Sequence, residues 1–136
     1  MSSRRPLTTL LAAAILTSTA LGSADACTRT LYTGADDTTI TGRSMDWAED
    51  MHTNLWAFPA GIERDGAAGP DSPTWTSKYG SVVATGYDIG TADGMNEAGL
   101  VANLLFLAES DYGTTEGKPP LSMALCAQYV LDNFAT

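Results

Sequence analysis

A cysteine stands directly after a segment with the features of a cleavable leader. Residues 4–26 hold two arginines, then a mostly apolar stretch from Leu7 to Leu21, and end in Ala24-Asp25-Ala26. This order of positive, apolar and small residues is typical of a signal peptide with an A-x-A cleavage site. We therefore expect removal of residues 1–26, which leaves Cys27 as the first residue of a secreted or periplasmic protein of 110 residues.

An N-terminal cysteine carries a thiol and a free α-amino group on one residue. The thiol is a nucleophile, and an α-amino group, with an ordinary pKa of about 8, is a base suited to neutral pH. The local sequence leaves three other roles of Cys27 open: a lipid-bearing cysteine of a surface lipoprotein, a disulfide with Cys126, or an apolar residue near a strand. A lipoprotein signal normally has Leu three residues before the cysteine, where this chain has Ala24.

Composition limits the partners of the processed chain. Without residues 1–26 it keeps 5 of its 7 basic and 15 of its 16 acidic residues, a net charge near −10 over 110 residues. Such a surface repels nucleic acid and anionic membranes, and the apolar part of the leader is too short for a transmembrane helix. We expect no nucleic-acid partner and no stable membrane association after cleavage. No metal-ligand spacing and no phosphate-binding glycine motif occurs, so we predict no metal and no other cofactor.

Short runs of β-forming residues follow Cys27 and are separated by turn residues. They predict a first strand and its returning partner in a hairpin, then two further strands. These four strands are predicted over residues 28–32, 38–46, 55–59 and 77–87.

The rest of the chain predicts a loop, a turn, a buried strand and a helix. Residues 61–73 have the Gly and Pro content of a surface loop, and Gly94 and Gly99 predict a turn with positive φ within residues 92–100. Residues 101–107 form an apolar run typical of a strand buried on both faces. Residues 119–134 predict an amphipathic helix that begins with two prolines. Because the chain stops after this helix without a Gly cap or polar tail, we expect a fragment of a longer protein.

Two charged residues on the returning strand follow Cys27 by 16 and 19 positions. The hairpin would bring Arg43 and Asp46 beside Cys27, although residues three apart converge only if the strand bends or ends near Asp46. A guanidinium near a thiol favours the nucleophilic thiolate, and a carboxylate can hold the α-amino group as a proton carrier. The alternative is that Arg43 and Asp46 form an ordinary ion pair.

Four segments in order and spacing are shared with a known family. They are residues 27–29, residues 42–47, residues 53–59 and residues 93–100. In these segments the chain resembles the choloylglycine hydrolase family, whose members include penicillin V acylases and conjugated bile acid hydrolases. The resemblance covers residues 27–136 and is greatest to the branch of linear amide C–N hydrolases that contains Gram-negative penicillin V acylases and acyl-homoserine lactone acylases.

The resemblance implies an α+β fold, the αββα sandwich of N-terminal nucleophile (Ntn) hydrolases, of which residues 27–136 would be the N-terminal part. It implies that Cys27 is the nucleophile, that its own amino group is the base, and that Arg43 and Asp46 position and activate it. The implied reaction is hydrolysis of a small-molecule linear amide through a Cys27 thioester. Homo-oligomers are also implied. Family members are more than twice as long, so a truncated, inactive product is the main alternative.

Three aromatic residues are candidates for binding the acyl group by the same resemblance: Trp47, Trp56 and Phe106. Bile acid hydrolases have an oxyanion-binding asparagine six residues after the Gly-Leu of their Asn-Glu-x-Gly-Leu motif, and this chain has Phe106 there. Asn103 lies three residues earlier and is the remaining oxyanion candidate. Phe106 in place of this asparagine favours phenoxyacetyl or fatty-acyl amides over bile conjugates as substrates. The methionines Met45 and Met95 are expected to be packing residues, and Asn96 is expected to stabilise its turn.

Overall fold

The computed structural model describes residues 27–107, 109–114 and 116–136, so the predicted leader lies outside the described residues. Eight strands and one helix are formed by this part of the chain. In order they are β1 (Arg29–Thr33), β2 (Thr39–Arg43), β3 (Leu55–Phe58), β4 (Glu63–Asp65), β5 (Thr74–Thr76), β6 (Ser81–Gly86), β7 (Gly90–Asn96), β8 (Val101–Asn103) and α1 (Met123–Asn133).

The central sheet is antiparallel, with strand order β3-β6-β7-β8. Helix α1 packs on β7 at a point where the strand has no side chain. A Cβ atom on Gly94 would lie 2.7 Å from Leu131 Cδ1 and 2.7 Å from Val83 Cγ1. Leu131 and Val83 are among the most buried side chains. Glycine at position 94 therefore permits close contact between the helix and the sheet.

A buried polar network fastens the small β4–β5 hairpin to α1. The carboxylate of Asp132, on the helix, accepts hydrogen bonds from Arg64 Nε at 2.8 Å and from Trp75 Nε1 at 2.8 Å. Gln128 Nε2 donates to the other oxygen of Asp132 at 2.7 Å. Because each donor reaches a charged acceptor, the burial of the Asp132 carboxylate is compensated.

The sheet has a second face, away from α1, and the β1–β2 hairpin lies over part of it. Side chains alternate along a strand, so Asp93 and Met95 of β7 point to the opposite face from Gly94. Both line an open cleft of about 500 Å³ whose other wall includes Ile40 and Arg43 of β2. This cleft is where the hairpin residues meet the sheet.

The four predicted strands and the C-terminal helix are confirmed as β1, β2, β3, β6 and α1. The returning strand ends earlier than predicted, at Arg43. The prediction of an unstructured loop over residues 61–73 is wrong at its start, because residues 63–65 pair with residues 74–76 as β4 and β5. Three-residue strands beside Gly and Pro leave too weak a pattern to be read.

Two further predictions are corrected. The turn predicted within residues 92–100 is shorter, because β7 continues to Asn96 and only Gly99 of the two glycines has positive φ, 88°. The strand predicted over residues 101–107 ends at Asn103, and Phe106 is 63% exposed. Apolar composition alone did not show which of these residues would be covered.

Asn96 stabilises its turn, as the sequence predicts. Its Oδ1 accepts hydrogen bonds from the backbone N–H groups of Ala98 and Leu100, and its Nδ2 donates to the carbonyls of Leu131 and Phe134. One side chain thus closes the β7–β8 turn and binds the end of α1. Across the described residues, no helix has both the length and the apolar character that a membrane crossing requires.

Candidate active site

Antiparallel pairing of the first hairpin places the end of β2 beside Cys27. Arg29 pairs with Arg43 in the ladder, and Ser44 N–H donates to the carbonyl of Thr28 at 2.9 Å, one step further. Cys27 therefore lies next to the segment that follows β2. Its Sγ is half-buried and lies 3.9 Å from Met45 Sδ.

The guanidinium of Arg43 is held from two sides. Nη1 donates to Asp93 Oδ2 at 3.0 Å and Nη2 donates to the carbonyl of Leu104 at 2.6 Å. Nη1 also lies 3.3 Å from Met45 Sδ. The sulfur of Met45 thus contacts both the Cys27 thiol and the Arg43 guanidinium, so Met45, expected to be a packing residue, lies within the candidate site.

Asp46 lies beyond the end of β2, where the chain no longer follows strand alternation. Its Oδ2 accepts a hydrogen bond from Ser44 Oγ at 3.2 Å, and the same hydroxyl accepts one from Thr28 N–H at 3.2 Å. Ser44 therefore links Asp46 to the residue that follows Cys27. The ionic partner of Arg43 is Asp93, and the structure contains no ion pair between Arg43 and Asp46 among the described residues.

Asn103 joins the same cluster through Asp93. The two residues are register partners on β8 and β7, and Asn103 Nδ2 donates to Asp93 Oδ1 at 2.8 Å. Arg43 Nε and Asn103 Oδ1 are buried and have no hydrogen-bond partner within the described ranges. The two residues that carry these atoms, Arg43 and Asn103, both line the cleft between β2 and the sheet.

Two of the aromatic candidates lie together near this site. The rings of Trp47 and Phe106 meet edge to face. Trp47 Nε1 donates to the hydroxyl of Tyr87 at 2.9 Å, and that hydroxyl donates to Glu49 Oε1 at 2.7 Å. The hydrogen bond to Glu49 is the largest cause that raises the pKa of Tyr87 above its ordinary value. Tyr87 thereby orients the indole of Trp47.

The third aromatic candidate lies elsewhere. Trp56 pairs with Val83, which pairs with Gly94, so its side chain is on the helix-facing side of the sheet. Its Nε1 donates to Asp88 Oδ1 at 3.0 Å, and this bond, followed by the one from Thr85, lowers the pKa of Asp88. The structure therefore does not bring Trp56 together with Arg43.

The two cysteines do not form a disulfide with each other in this structure. Both Cys27 and Cys126 are free thiols, and Cys126 Sγ faces the carbonyl of Ser122 at 3.6 Å. Within the described part of the chain, no group of three or more His, Cys, Asp or Glu side chains is arranged to hold a metal ion.

Sequence reasoning missed several residues of the cluster. Asp93 and Ser44 both lie inside the motifs that carry the family resemblance, but their types did not distinguish them from turn or strand-end residues. Asp93 gave no local signal, because its segment predicts a turn, where aspartate is an ordinary residue. Tyr87 gave no signal, because its partner Trp47 is 40 positions away.

Comparisons with known proteins agree with this geometry. The family model described as linear amide C–N hydrolases, choloylglycine hydrolase family, matches residues 27–136. The chain is 56% identical over 128 residues to a penicillin V acylase of Pectobacterium atrosepticum, a match that covers 85% of this chain and 34% of that relative. The chain thus spans about a third of the length of this curated relative.

A solved structure gives the same result. The structure of penicillin V acylase from Agrobacterium tumefaciens matches with a TM-score of 0.73 and 62% identity, over 79% of this chain and 34% of that one. The predicted resemblance and the predicted Ntn hydrolase fold class are both confirmed.

Proposed function

This chain belongs to the choloylglycine hydrolase family of linear amide C–N hydrolases, and we propose that it hydrolyses a linear amide through a thioester on Cys27, after export and removal of residues 1–26. The observation that supports this best is the convergence of the Cys27 thiol and the Arg43 guanidinium on the sulfur of Met45. The cation is fixed by two hydrogen bonds before any substrate arrives.

Activation of the thiol follows from this arrangement. The Arg43 side chain is only 9% exposed, so solvent screens its charge less than at the surface. A fixed cation near a thiol favours the thiolate, which is the attacking form. Removal of the leader would expose the Cys27 α-amino group, and Asp46, linked through Ser44 to Thr28, is the carboxylate that would hold it.

The reaction would proceed in two stages. The thiolate attacks the amide carbonyl carbon, a C–S bond forms, and the carbonyl electron pair moves onto oxygen. The α-ammonium group gives a proton to the amide nitrogen as the C–N bond breaks, which releases the amine and leaves a thioester. The neutral α-amine then takes a proton from water, the hydroxide attacks the thioester, and the C–S bond breaks to release the carboxylic acid.

The oxyanion of each stage needs a fixed donor. Asn103 is the candidate that the sequence indicates. An asparagine amide has two N–H bonds, and Asp93 accepts one of them. The second N–H of Asn103 would be the donor to the oxyanion in this proposal.

The aromatic pair Trp47–Phe106 favours an aromatic or long apolar acyl group. An edge-to-face pair that is partly exposed offers apolar surface to a ring or alkyl chain. The curated relative is named as a penicillin V acylase. We therefore expect a phenoxyacetyl amide such as penicillin V to be a substrate, with fatty-acyl amides as the second class, and no nucleic-acid or stable membrane partner. Self-association into homo-oligomers is part of the same proposal.

A trapping experiment tests this proposal. The whole chain is expressed with its leader, recovered from the exported fraction, mixed with penicillin V, quenched in acid and measured by intact mass. We expect a mass that begins at Cys27 and a fraction carrying one phenoxyacetyl group. Cys27→Ala should lose this adduct, whereas the matched variant Cys126→Ala should keep it.

The other outcomes separate the alternatives. A lipid-bearing mass would support the surface lipoprotein. A chain that begins at Cys27 but forms no adduct with penicillin V or with a fatty-acyl amide would support the inactive product. An adduct that persists in Cys27→Ala would contradict the proposed nucleophile.

A further inference from the structure

We propose that Asp93 is a positioning residue of the candidate site, which sets the orientation of Arg43 and Asn103 toward the Cys27 thiol. This inference rests on the proposed function, because it assigns Asp93 a role at the same nucleophile.

Both carboxylate oxygens of Asp93 accept hydrogen bonds from residues of the candidate site. Oδ2 of Asp93 accepts from Arg43 Nη1 at 3.0 Å and Oδ1 accepts from Asn103 Nδ2 at 2.8 Å. These two donors come from different strands, β2 and β8, and bind different oxygens of Asp93. One carboxylate therefore fixes the distance between the candidate activating cation and the candidate oxyanion donor.

An aspartate at position 93 is unfavourable for the strand that contains it. Aspartate is unfavourable within a strand, and a partly buried carboxylate requires compensation. The Asp93 side chain is 22% exposed and sits within β7. Its neighbour Gly94 faces the helix, so Asp93 contributes nothing to the packing of α1. The carboxylate is explained by what it holds on the cleft side.

Without the Asp93 carboxylate, the Arg43 guanidinium would keep one of its two hydrogen bonds to oxygen. Arg43 would keep the bond from Nη2 to the Leu104 carbonyl, around which the guanidinium could rotate. Nη1 contacts both Asp93 and Met45 Sδ, so losing Asp93 frees the part of the cation that lies toward the thiol. A single fixed point does not orient a planar group, whereas two do.

The direction in which an Asp93 variant moves the pH profile of thiolate formation at Cys27 distinguishes a positioning role from a simple charge effect. Removing a nearby negative charge should by itself favour the thiolate and move its appearance to lower pH. Releasing Arg43 should have the opposite effect, because the thiolate loses a fixed cation. The charged groups of the described cluster around the thiol are Arg43, Asp46 and Asp93. The processed chain adds the α-amino group of Cys27 itself, which is the same in every variant compared.

The experiment measures the rate of iodoacetamide alkylation of Cys27 against pH, with Cys126 in the same chain as an internal reference. We expect Asp93→Asn to move the half-maximal rate of Cys27 to higher pH by roughly one unit, which is about a tenfold loss of thiolate at a given pH below it. The matched control is Asp88→Asn, which removes the same charge from a carboxylate in the β6–β7 turn that binds other side chains, those of Asn54 and Trp56. It should leave the profile in place.

A movement to lower pH, or none, would overturn the proposal. Should Asp93→Asn fail to fold, as judged by circular dichroism, Asp93→Glu replaces it. This variant keeps the charge but displaces it by one methylene, so a positioning role predicts a shift to higher pH and a pure charge role predicts none.

A double mutant completes the test. In an Arg43→Gln background the cation is already gone, so adding Asp93→Asn should not move the profile further to higher pH. A further upward movement would contradict the proposal. Alkylation needs no turnover, so a shifted profile without an adduct from either penicillin V or a fatty-acyl amide would refute the proposed function and leave the positioning role intact.

Discussion

The rings of Trp47 and Phe106 meet edge to face, with centroids 6.3 Å apart and planes inclined by 76°. Trp47 follows β2 and Phe106 follows β8, so the pair joins two segments that leave different strands. The two residues are 48% and 63% exposed, which is unusual for a pair whose purpose is core packing. The contact therefore marks an accessible apolar surface beside the hairpin that carries Cys27.

The pair should determine preference for aromatic acyl groups. We expect Trp47→Ala to lower the ratio of kcat/KM for a phenoxyacetyl amide over that for an acetyl amide by about tenfold, because partial loss of one aromatic contact is worth roughly 1.4 kcal/mol. Tyr112→Ala removes an exposed aromatic outside this pair and is the control. Trp56→Ala, on the helix-facing side, should change the ratio less than Trp47→Ala. A larger effect of Trp56→Ala would place the acyl group elsewhere.

The hydroxyl of Tyr87 should lose its proton at a higher pH than an ordinary tyrosine, because it donates a hydrogen bond to Glu49. Its pKa in the folded chain lies above the ordinary 10.0, so the bond stabilises the folded state fully below pH 10.0 and this contribution is lost as the pH rises through the folded-state pKa. We expect Glu49→Gln to lower the midpoint of the Tyr87 phenolate absorbance, obtained by subtracting the titration of Tyr87→Phe. Glu63→Gln removes an equal charge from β4 and should have no effect. Equal shifts in both variants would attribute the pKa to net charge instead.

Replacing Gly94, which lies under helix α1, should destabilise the fold. A Cβ at Gly94 meets Leu131 and Val83 and lies 3.0 Å from the carbonyl of Val82, so we expect Gly94→Ala to lower the free energy of unfolding by about 1–3 kcal/mol. Gly42 in β2 has no atom within 4 Å of its would-be Cβ, and Gly42→Ala should cost nothing or stabilise by up to about 1 kcal/mol. Urea unfolding of both variants measures the difference. Similar losses would show that strand flexibility matters more than helix contact.

Local patterns sufficed for the strands that alternate clearly and for the helix. The hairpin that returns Arg43 to Cys27 was predicted because each strand has β-forming residues and the turn has Gly34 and two aspartates. The end of β2 was not predicted, because the Arg43 side chain is held there by Asp93 and by the Leu104 carbonyl, residues at least 50 positions away.

The sequence predicted the candidate nucleophile but not the residue that holds Arg43 in place. Cys27 and Arg43 were proposed from their position and spacing, whereas Asp93 lies in a segment that predicts a turn and is in fact part of strand β7. The strand predicted over residues 101–107 shows the same limit. Its ladder ends where the Leu104 carbonyl binds the Arg43 guanidinium, a contact that no local pattern contains. The roles of Cys27, Arg43, Asp46 and the aromatic residues stay predictions.

Replacing only Asp132 of the Asp132–Arg64 ion pair should lower the free energy of unfolding much more than replacing both residues. The Asp132 side chain is fully buried and accepts from Arg64 at 2.8 Å, and one nitrogen of Arg64, Nη2, already lacks a partner among the described residues. We expect Asp132→Leu to lower the free energy of unfolding by about 3–5 kcal/mol, because it leaves the Arg64 cation without its carboxylate. Adding Arg64→Leu should restore more than about 1 kcal/mol of that loss, since no uncompensated charge remains. Urea unfolding of both single variants and the double variant gives the coupling free energy. Strictly additive losses would mean that solvent already stabilises the two charges separately, and that packing, not charge pairing, fastens the β4–β5 hairpin to α1.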